Sequence, residues 1–391
     1  MEKRSLSIRG RLVKRRLQAE IAAATGPKTG MCCLRPFYYL AICGTPGGNG
    51  VAYPCCPDYI RLPLGFVSTG ADIDRVWNGP TARLYRKAMV SSRLASVCLQ
   101  KKCPFFMNGS LPRLTGDTLD MTKCGAELFP PDLRDDAAVK AAVRSKATLL
   151  DYSPRAVVLA CDSRCNLACS SCRSARVKNL SPAEAAFLDE VLRYLYRIGS
   201  ELLELEMSGS GEVFYSPFSL QLLRSLNRSS FPKMKIHIVT NGQLLTPGLW
   251  ESLGEGKTFI GRIDVSVDAA TKEVYESIRA GGRWERLREN LDFISALRRA
   301  NAVSLFALNF VVSASNFREI GRFMELGETV GADLIFLTHL QDWGREMRYH
   351  YEREAVHLST HPLHDEYRAA LKHTSGLKKT RLVVQATAAG V

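Results

Sequence analysis

Between residues 155 and 345 six short apolar runs alternate with amphipathic segments, and all twelve cysteines fall in the first 172 positions. These two observations predict an α/β chain: a partial (β/α)6 TIM-type barrel preceded by a small, irregular, cysteine-rich domain. The runs are continuously apolar, as strands are when helices cover a parallel sheet. Their spacing suits right-handed βαβ crossovers. Eight units close a full barrel, so six leave it incomplete.

Taken in order, residues 1–30 carry eight Lys/Arg against two Glu. That composition suits either a solvated terminal helix or a surface for RNA, membrane or an acidic partner. Residues 31–124 are rich in Cys, Gly and Pro, with short apolar stretches such as "PFYYLAICG" and "GVAYPCC". They read as a small domain that needs metal staples. Residues 125–153, with "FPPDLRDD" and a short Ala/Lys/Val helix, read as a linker.

The barrel is expected over 154–345. "RAVVLAC" is its first strand, and "SPAEAAFLDEVLRYLYRIG" its first helix, with Ser181 as N-cap, Pro182 next and Gly199 beyond the end. "ELLELEMSG", "KMKIHIVTNG", "IGRIDVSVDA", "VSLFALNFVVS" and "ADLIFLTHL" supply the other five strands, with helical segments between them. Residues 346–391 are expected to form a helix and tail. His357, His361, His364 and His373 there suit helix capping or solvation, or a metal.

The chain is 46% hydrophobic and 24% charged, a globular composition, and no apolar run approaches the ~20 residues that span a bilayer. The first residues lack the apolar core of a secretory signal, so a cytoplasmic location is expected. The net charge of +14 is dispersed beyond residue 30. Basic residues are not interleaved with aromatic ones as stacking platforms for nucleic acid require, and nucleic acid is not expected as a partner.

In a reducing compartment clustered cysteines point to metal or thiol chemistry rather than disulfides. "CDSRCNLACSSC" places Cys161, Cys165, Cys169 and Cys172 at the end of the first strand, where sites of such folds lie. Four thiols suit a structural zinc, although zinc knuckles usually come as two separated pairs. Three thiols at x3 and x2 spacing suit three irons of a cubane cluster whose fourth iron stays open.

"CNLACSSC" resembles the CxxxCxxC motif of the radical S-adenosylmethionine (radical SAM) enzymes. The resemblance implies a [4Fe–4S] cluster on Cys165, Cys169 and Cys172, with Cys161 a buried strand-end thiol outside the motif. "MSGSGEVF" resembles the family's GGE motif, at Ser210, Gly211 and Glu212, and "TNG" follows the third strand with Asn241 at its centre. "VSVDAATKEVYESIRAGGRWERLRENL" is similar to the stretch in relatives that carry a SPASM domain. It implies SAM contacts at Ser266, Asp268 and Arg279, with the serine on the ribose and the arginine on the carboxylate. Two departures stand out: Ser171 replaces an aromatic residue, and Ser210 replaces the first glycine of GGE.

The N-terminal region resembles the SPASM auxiliary-cluster module, placed before the barrel. "CLRPF" matches its opening at Cys33, "GVAYPCC" its Gly50 and Cys55, and "DIDRVWNGPTARLYR" its Trp-Asn helix. "CLQKKCPFF" supplies Cys98 and Cys103, at x4 spacing where relatives have x2. The resemblance implies one second [4Fe–4S] cluster on Cys33, Cys55, Cys98 and Cys103, with Cys32 and Cys56 as substitutes. A zinc-stapled domain is the alternative.

The family's chemistry implies reductive cleavage of SAM to a 5′-deoxyadenosyl radical that abstracts hydrogen from a substrate carbon. An auxiliary cluster would assist net oxidation or bond formation on a peptide, a protein side chain or a small metabolite. A one-electron reductant such as flavodoxin or ferredoxin is the implied partner. RNA modification and a non-catalytic metal-stabilised scaffold are the alternatives. After the sixth strand, Thr338, His339, Gln341 and Asp342 suit substrate contacts, and His339 or Asp342 suits a proton acceptor or a loop cap.

Overall fold

The computed structural model describes residues 29–122, 124, 131–208, 210–342, 348–372 and 380–385. The basic segment, except for its last two residues, lies outside them, as do part of the expected linker and His373. The chain forms two compact units. One runs to Ile42 and resumes over Asn49–Val157; the other takes Cys43–Gly48 and everything from Val158.

Strands β1 (Tyr39–Thr45), β2 (Asn49–Tyr53) and β3 (Gly65–Val67) are neighbours in that order, and all but the last three residues of β1 belong to the first unit. β2 and β3 run antiparallel, with Gly50 opposite Val67. A separate hairpin joins β4 (Arg113–Thr115) to β5 (Thr118–Asp120). Helix Gly70–Trp77 starts on a capping box, because Thr69 and Asp72 each accept the other's backbone N–H at 3.2 Å. Helix Pro80–Val90 follows and carries Arg86, which is fully buried. Its guanidinium donates to the carbonyls of Pro36 (2.9 Å), Trp77 (2.7 Å) and Thr148 (2.9 Å) and to the side chain of Asn78 (2.8 Å). Burial lowers its pKa to about 10, so it stays charged at neutral pH. The Trp-Asn pair has a structural task. Trp77 Nε1 donates to Tyr152 O (2.9 Å), and Asn78 exchanges two bonds with the Leu150 backbone (2.8 and 3.0 Å).

Every one of the six apolar runs is a strand, and all but the first two residues of β6 belong to the second unit: β6 (Ala156–Ala160), β7 (Glu204–Met207), β8 (Lys235–Thr240), β9 (Ile260–Ser266), β10 (Leu305–Val312) and β11 (Leu334–His339). β7 to β11 pair in parallel with their sequence neighbours, giving the open sheet of a partial barrel. A seventh strand, β12 (Arg381–Gln385), was not expected from the sequence and lies parallel beside β11, with Ile335 opposite Leu382. Helix Pro182–Ile198 opens on the Ser181/Glu184 capping box (3.3 and 2.8 Å). Helix Ile320–Val330 ends at Gly331, whose φ of 68° is the left-handed conformation glycine adopts without strain.

Side chains alternate across the sheet. Ile236, Ile238, Ile263 and Val265 go into the core, each fully buried and worth roughly 1.5–3 kcal/mol. The opposite face of β7, β8 and β9 carries a charge cluster. His237 lies 3.6 Å from Glu206 and 3.2 Å from Asp264, and Asp264 takes a two-pronged contact from Arg262 at 2.7 Å.

Candidate functional site

The cysteine loop leaves the C-terminal end of β6 and is held by backbone bonds. Cys165 N donates to Val177 O (2.9 Å), and Cys172 N donates to Cys169 O (2.9 Å). Ala168 N and Ser170 N donate to Ala280 O (3.0 Å) and Ile278 O (3.1 Å), at the end of helix Lys272–Ile278. Cys165 and Cys169 are buried and Cys172 is exposed. Each sulfur has a donor: Leu167 N (3.4 Å) and Asn241 Nδ2 (3.9 Å) at Cys165, and Arg279 Nη1 (3.6 Å) at Cys169. Cys172 receives Nε and Nη2 of Arg173, both at 3.4 Å. Burial raises the pKa of Cys165 and Cys169, and Arg279 opposes the shift at Cys169. Cys161 has Cys43 as its electrostatic neighbour.

Arg173 was not singled out by sequence reasoning. Besides Cys172, it donates to Ser163 O and Ser210 O, both at 2.6 Å, and so ties the loop to the end of β7. Lying outside the motif, it gives no signal beyond a charge next to the third cysteine.

The residues after β7 brace the same loop. A Cβ on Gly211 would lie 2.3 Å from Asp162 O and 2.5 Å from Arg164 O, so the loop backbone itself requires a glycine there. Ser210 Oγ donates to Asp162 O (3.0 Å). Glu212 is buried, and its carboxylate accepts from Thr240 Oγ1 (2.6 Å), Asn241 N (2.7 Å) and Phe214 N (3.2 Å). Burial raises its pKa. Asn241 Nδ2 also donates to Asn166 Oδ1 (2.9 Å), so the ends of β7 and β8 and the loop share one network.

Ser266 ends β9, opposite Asn309 of β10. Asp268 follows at φ 62°, a left-handed conformation that a non-glycine residue keeps only when its surroundings hold it. Val311 N donates to its carboxylate at 2.8 Å and Arg279 Nη2 at 2.6 Å. Arg279 thus bridges Asp268 and Cys169, while its Nε is buried without a hydrogen-bond partner. A cavity of about 880 Å³ opens beside them, lined by Cys172, Arg173, Asp268, Ser277, Tyr351 and Glu354 among others.

Among the described residues no three His, Cys, Asp or Glu side chains converge as ligands of a single metal ion do. The ligands of an iron cubane stand farther apart, each on its own iron. Three thiols with cationic and amide donors at their sulfurs, the unpartnered Arg279 Nε and the adjoining cavity fit such a cluster with a carboxylate-bearing ligand.

In the first unit Cys33, Cys55, Cys98 and Cys103 line one pocket with Arg35, Tyr59 and Phe105. Burial, reinforced by mutual proximity, raises the pKa of Cys33, Cys98 and Cys103, so binding a metal there must release protons. Cys56 is raised to about 12 by burial, with Cys55 next. Cys32 is fully buried with Cys124 as its electrostatic neighbour, and its pKa is also pushed up to about 12.

His339 sits in a cluster of rings. It is buried, stacks on His357 with ring centres 4.4 Å apart, and lies 2.7 Å from Tyr367 Oη. Burial lowers its pKa to about 4. Gln341 caps it by donating to His339 O (3.3 Å), and Asp342 is exposed. His361 and His364 bond backbone groups: His361 at Arg353 O (2.9 Å) and Leu363 N (3.1 Å), His364 at Val356 O (3.2 Å).

A parallel-sheet partial barrel with a three-thiol loop at its strand ends defines a class, and the match to a family agrees with it. Residues 163–323 match the model of the radical SAM superfamily. Over these residues the chain matches a radical SAM domain, a match that implies a [4Fe–4S] cluster and SAM. Among solved structures, Streptococcus suis SuiB bound to S-adenosylmethionine is similar at 17% identity and TM-score 0.40, over 62% of this chain and 52% of that one. SuiB bound to its precursor peptide SuiA is similar at 14% and 0.43, over 85% and 69%. The enzyme anSMEcpe with bound AdoMet is similar at 19% and 0.36, over 48% and 51%. This chain therefore spans about half the length of the first and third. No curated protein matches it. Among the described residues no helix is long and apolar enough to cross a membrane.

Proposed function

We infer that the protein is a SPASM-type radical SAM oxidoreductase of the cytoplasm, with a radical SAM barrel over 154–345 and an auxiliary-cluster domain over 31–124. Cys165, Cys169 and Cys172 hold the SAM-binding [4Fe–4S] cluster, and Cys33, Cys55, Cys98 and Cys103 a second one. Ser210, Gly211, Glu212, Asn241, Ser266, Asp268 and Arg279 surround SAM. The observation that carries this reading is the three-thiol loop of a radical SAM domain, with Arg173 and Arg279 on two of its sulfurs beside a cavity. When bound, cluster and SAM supply a 5′-deoxyadenosyl radical that abstracts hydrogen from an unactivated carbon.

The chain's own residues prepare the site. Arg173 and Arg279 offset thiolate charge, and Asp268 fixes the Arg279 fork so that Nε is left for a carboxylate. Glu212 orients Asn241, and Gly211 lets the strand end close on the loop. The cavity of about 880 Å³ lies at the large end of ligand pockets, roughly 300–1,000 Å³. It has room for a peptide side chain or a small metabolite besides SAM, with electrons supplied by a flavodoxin or ferredoxin.

Anaerobic reconstitution with iron and sulfide, followed by dithionite and SAM, should yield 5′-deoxyadenosine, and Cys169→Ala should abolish it. Cluster-loaded protein that makes none would sink the reading and favour a scaffold.

A further inference from the structure

The four-thiol pocket of the first unit holds a cation as well as cysteines. Arg35 stands two residues after Cys33, and its guanidinium lies over the rings of Tyr39 (4.8 Å) and Phe105 (5.4 Å). Nη1 donates to Cys55 Sγ at 3.6 Å, and Nε is buried with no hydrogen-bond partner. Among the described residues no Asp or Glu stands within ion-pair distance of it. The side chain is half-buried, and a cation whose Nε is shut off from water without an acidic partner is costly. Two aromatic faces recover part of that cost, and neutral thiols add little, because neither carries a net negative charge. Four thiolates around an iron–sulfur core carry net negative charge and meet the need directly.

We propose that Arg35 is the counter-ion of the auxiliary cluster: a positioning residue that donates to the Cys55 sulfur and raises the cluster's reduction potential. The proposal rests on the reading of Cys33, Cys55, Cys98 and Cys103 as cluster ligands. Reduction adds one negative charge to a group enclosed by apolar walls, and a cation in contact with a ligand sulfur favours the reduced form. Charge, hydrogen bonds to the sulfurs and burial are the protein's means of setting such potentials.

The test uses the full-length chain with Cys165→Ala, Cys169→Ala and Cys172→Ala, so that any remaining cluster belongs to the first unit. After reconstitution this parent should retain about four irons and a reducible paramagnetic signal. Added to it, Arg35→Met should shift the reduction equilibrium at least tenfold toward the oxidised form, about 59 mV lower in an EPR-monitored titration. Arg35→Lys should stay within that margin of the parent. An unchanged potential in iron-loaded Arg35→Met overturns the role of Arg35 alone. A parent that binds no iron, or zinc instead, overturns the cluster reading and the proposal with it. Loss of iron from Arg35→Met with retention in Arg35→Lys supports the counter-ion. Loss from both alike overturns it, because a positive charge would then not be what the pocket needs.

Discussion

Glu212 directs its carboxylate into the protein, onto Thr240 and Asn241, and Asn241 in turn reaches Cys165 and Asn166. Substituting Glu212→Gln replaces one acceptor oxygen by a donor facing an N–H or a hydroxyl. It should cost about 1–3 kcal/mol in urea unfolding and weaken SAM binding in calorimetry. Gly211→Ala should act on the loop alone. The new methyl runs into Asp162 O and Arg164 O, and iron bound by the thiol loop should fall by more than half while the first unit keeps its own. The three cysteines, the glycine and the glutamate are legible in sequence because their spacing is fixed by one short loop and one strand end. Asp268 and Arg279 are legible too, through the resemblance of their stretch, although their mutual ion pair is not. Arg173 is not, because its partner Ser210 lies after the next strand and only folding brings the two together.

At the scale of elements, the charge cluster on β7, β8 and β9 makes stability depend on pH. Asp264, with help from Glu206, raises the His237 pKa to about 9 against the cost of burial. That stabilisation is complete below about pH 6.5, the unfolded value, and is lost as pH rises through about 9. The same attraction lowers Asp264 to about 2, so it is lost again as pH falls from about 4 through about 2, and it is counted once. It is worth roughly 2–3 kcal/mol. The melting temperature should drop by about 5 °C between pH 7 and 10, and His237→Gln should flatten that slope. Arg86→Met tests the first unit. With three backbone carbonyls left unanswered, guanidinium unfolding should show a loss of about 3–5 kcal/mol. The strands β6 to β11 could be read from sequence because each is a compact apolar run between turn residues. β12 could not: "RLVVQ" is short, half-exposed and set apart from the barrel series by two helices.

Over the whole molecule, residues 1–30 carry a large share of the +14, the rest is dispersed along the sequence, and basic residues are not interleaved with aromatic ones. Mixing the protein with tRNA at about 0.15 M salt should therefore give no saturable complex. Tight, steeply salt-dependent binding would instead favour the RNA-modifying alternative. The two compact units also explain why the first was harder to read than the second. A barrel is a periodic pattern, whereas the cysteine-rich unit is organised by single contacts, such as Arg86 on four acceptors or Trp77 on Tyr152, that leave no periodic trace.

The late strand β12 matters to anyone who shortens this chain. It hydrogen-bonds along β11 and packs Val383 against Leu334 and Phe336. Cutting before Arg381 would bare a row of unpaired amides flanked by apolar side chains, a template for aggregation. A truncated protein that precipitates would then report a lost edge guard, and not a damaged cluster site.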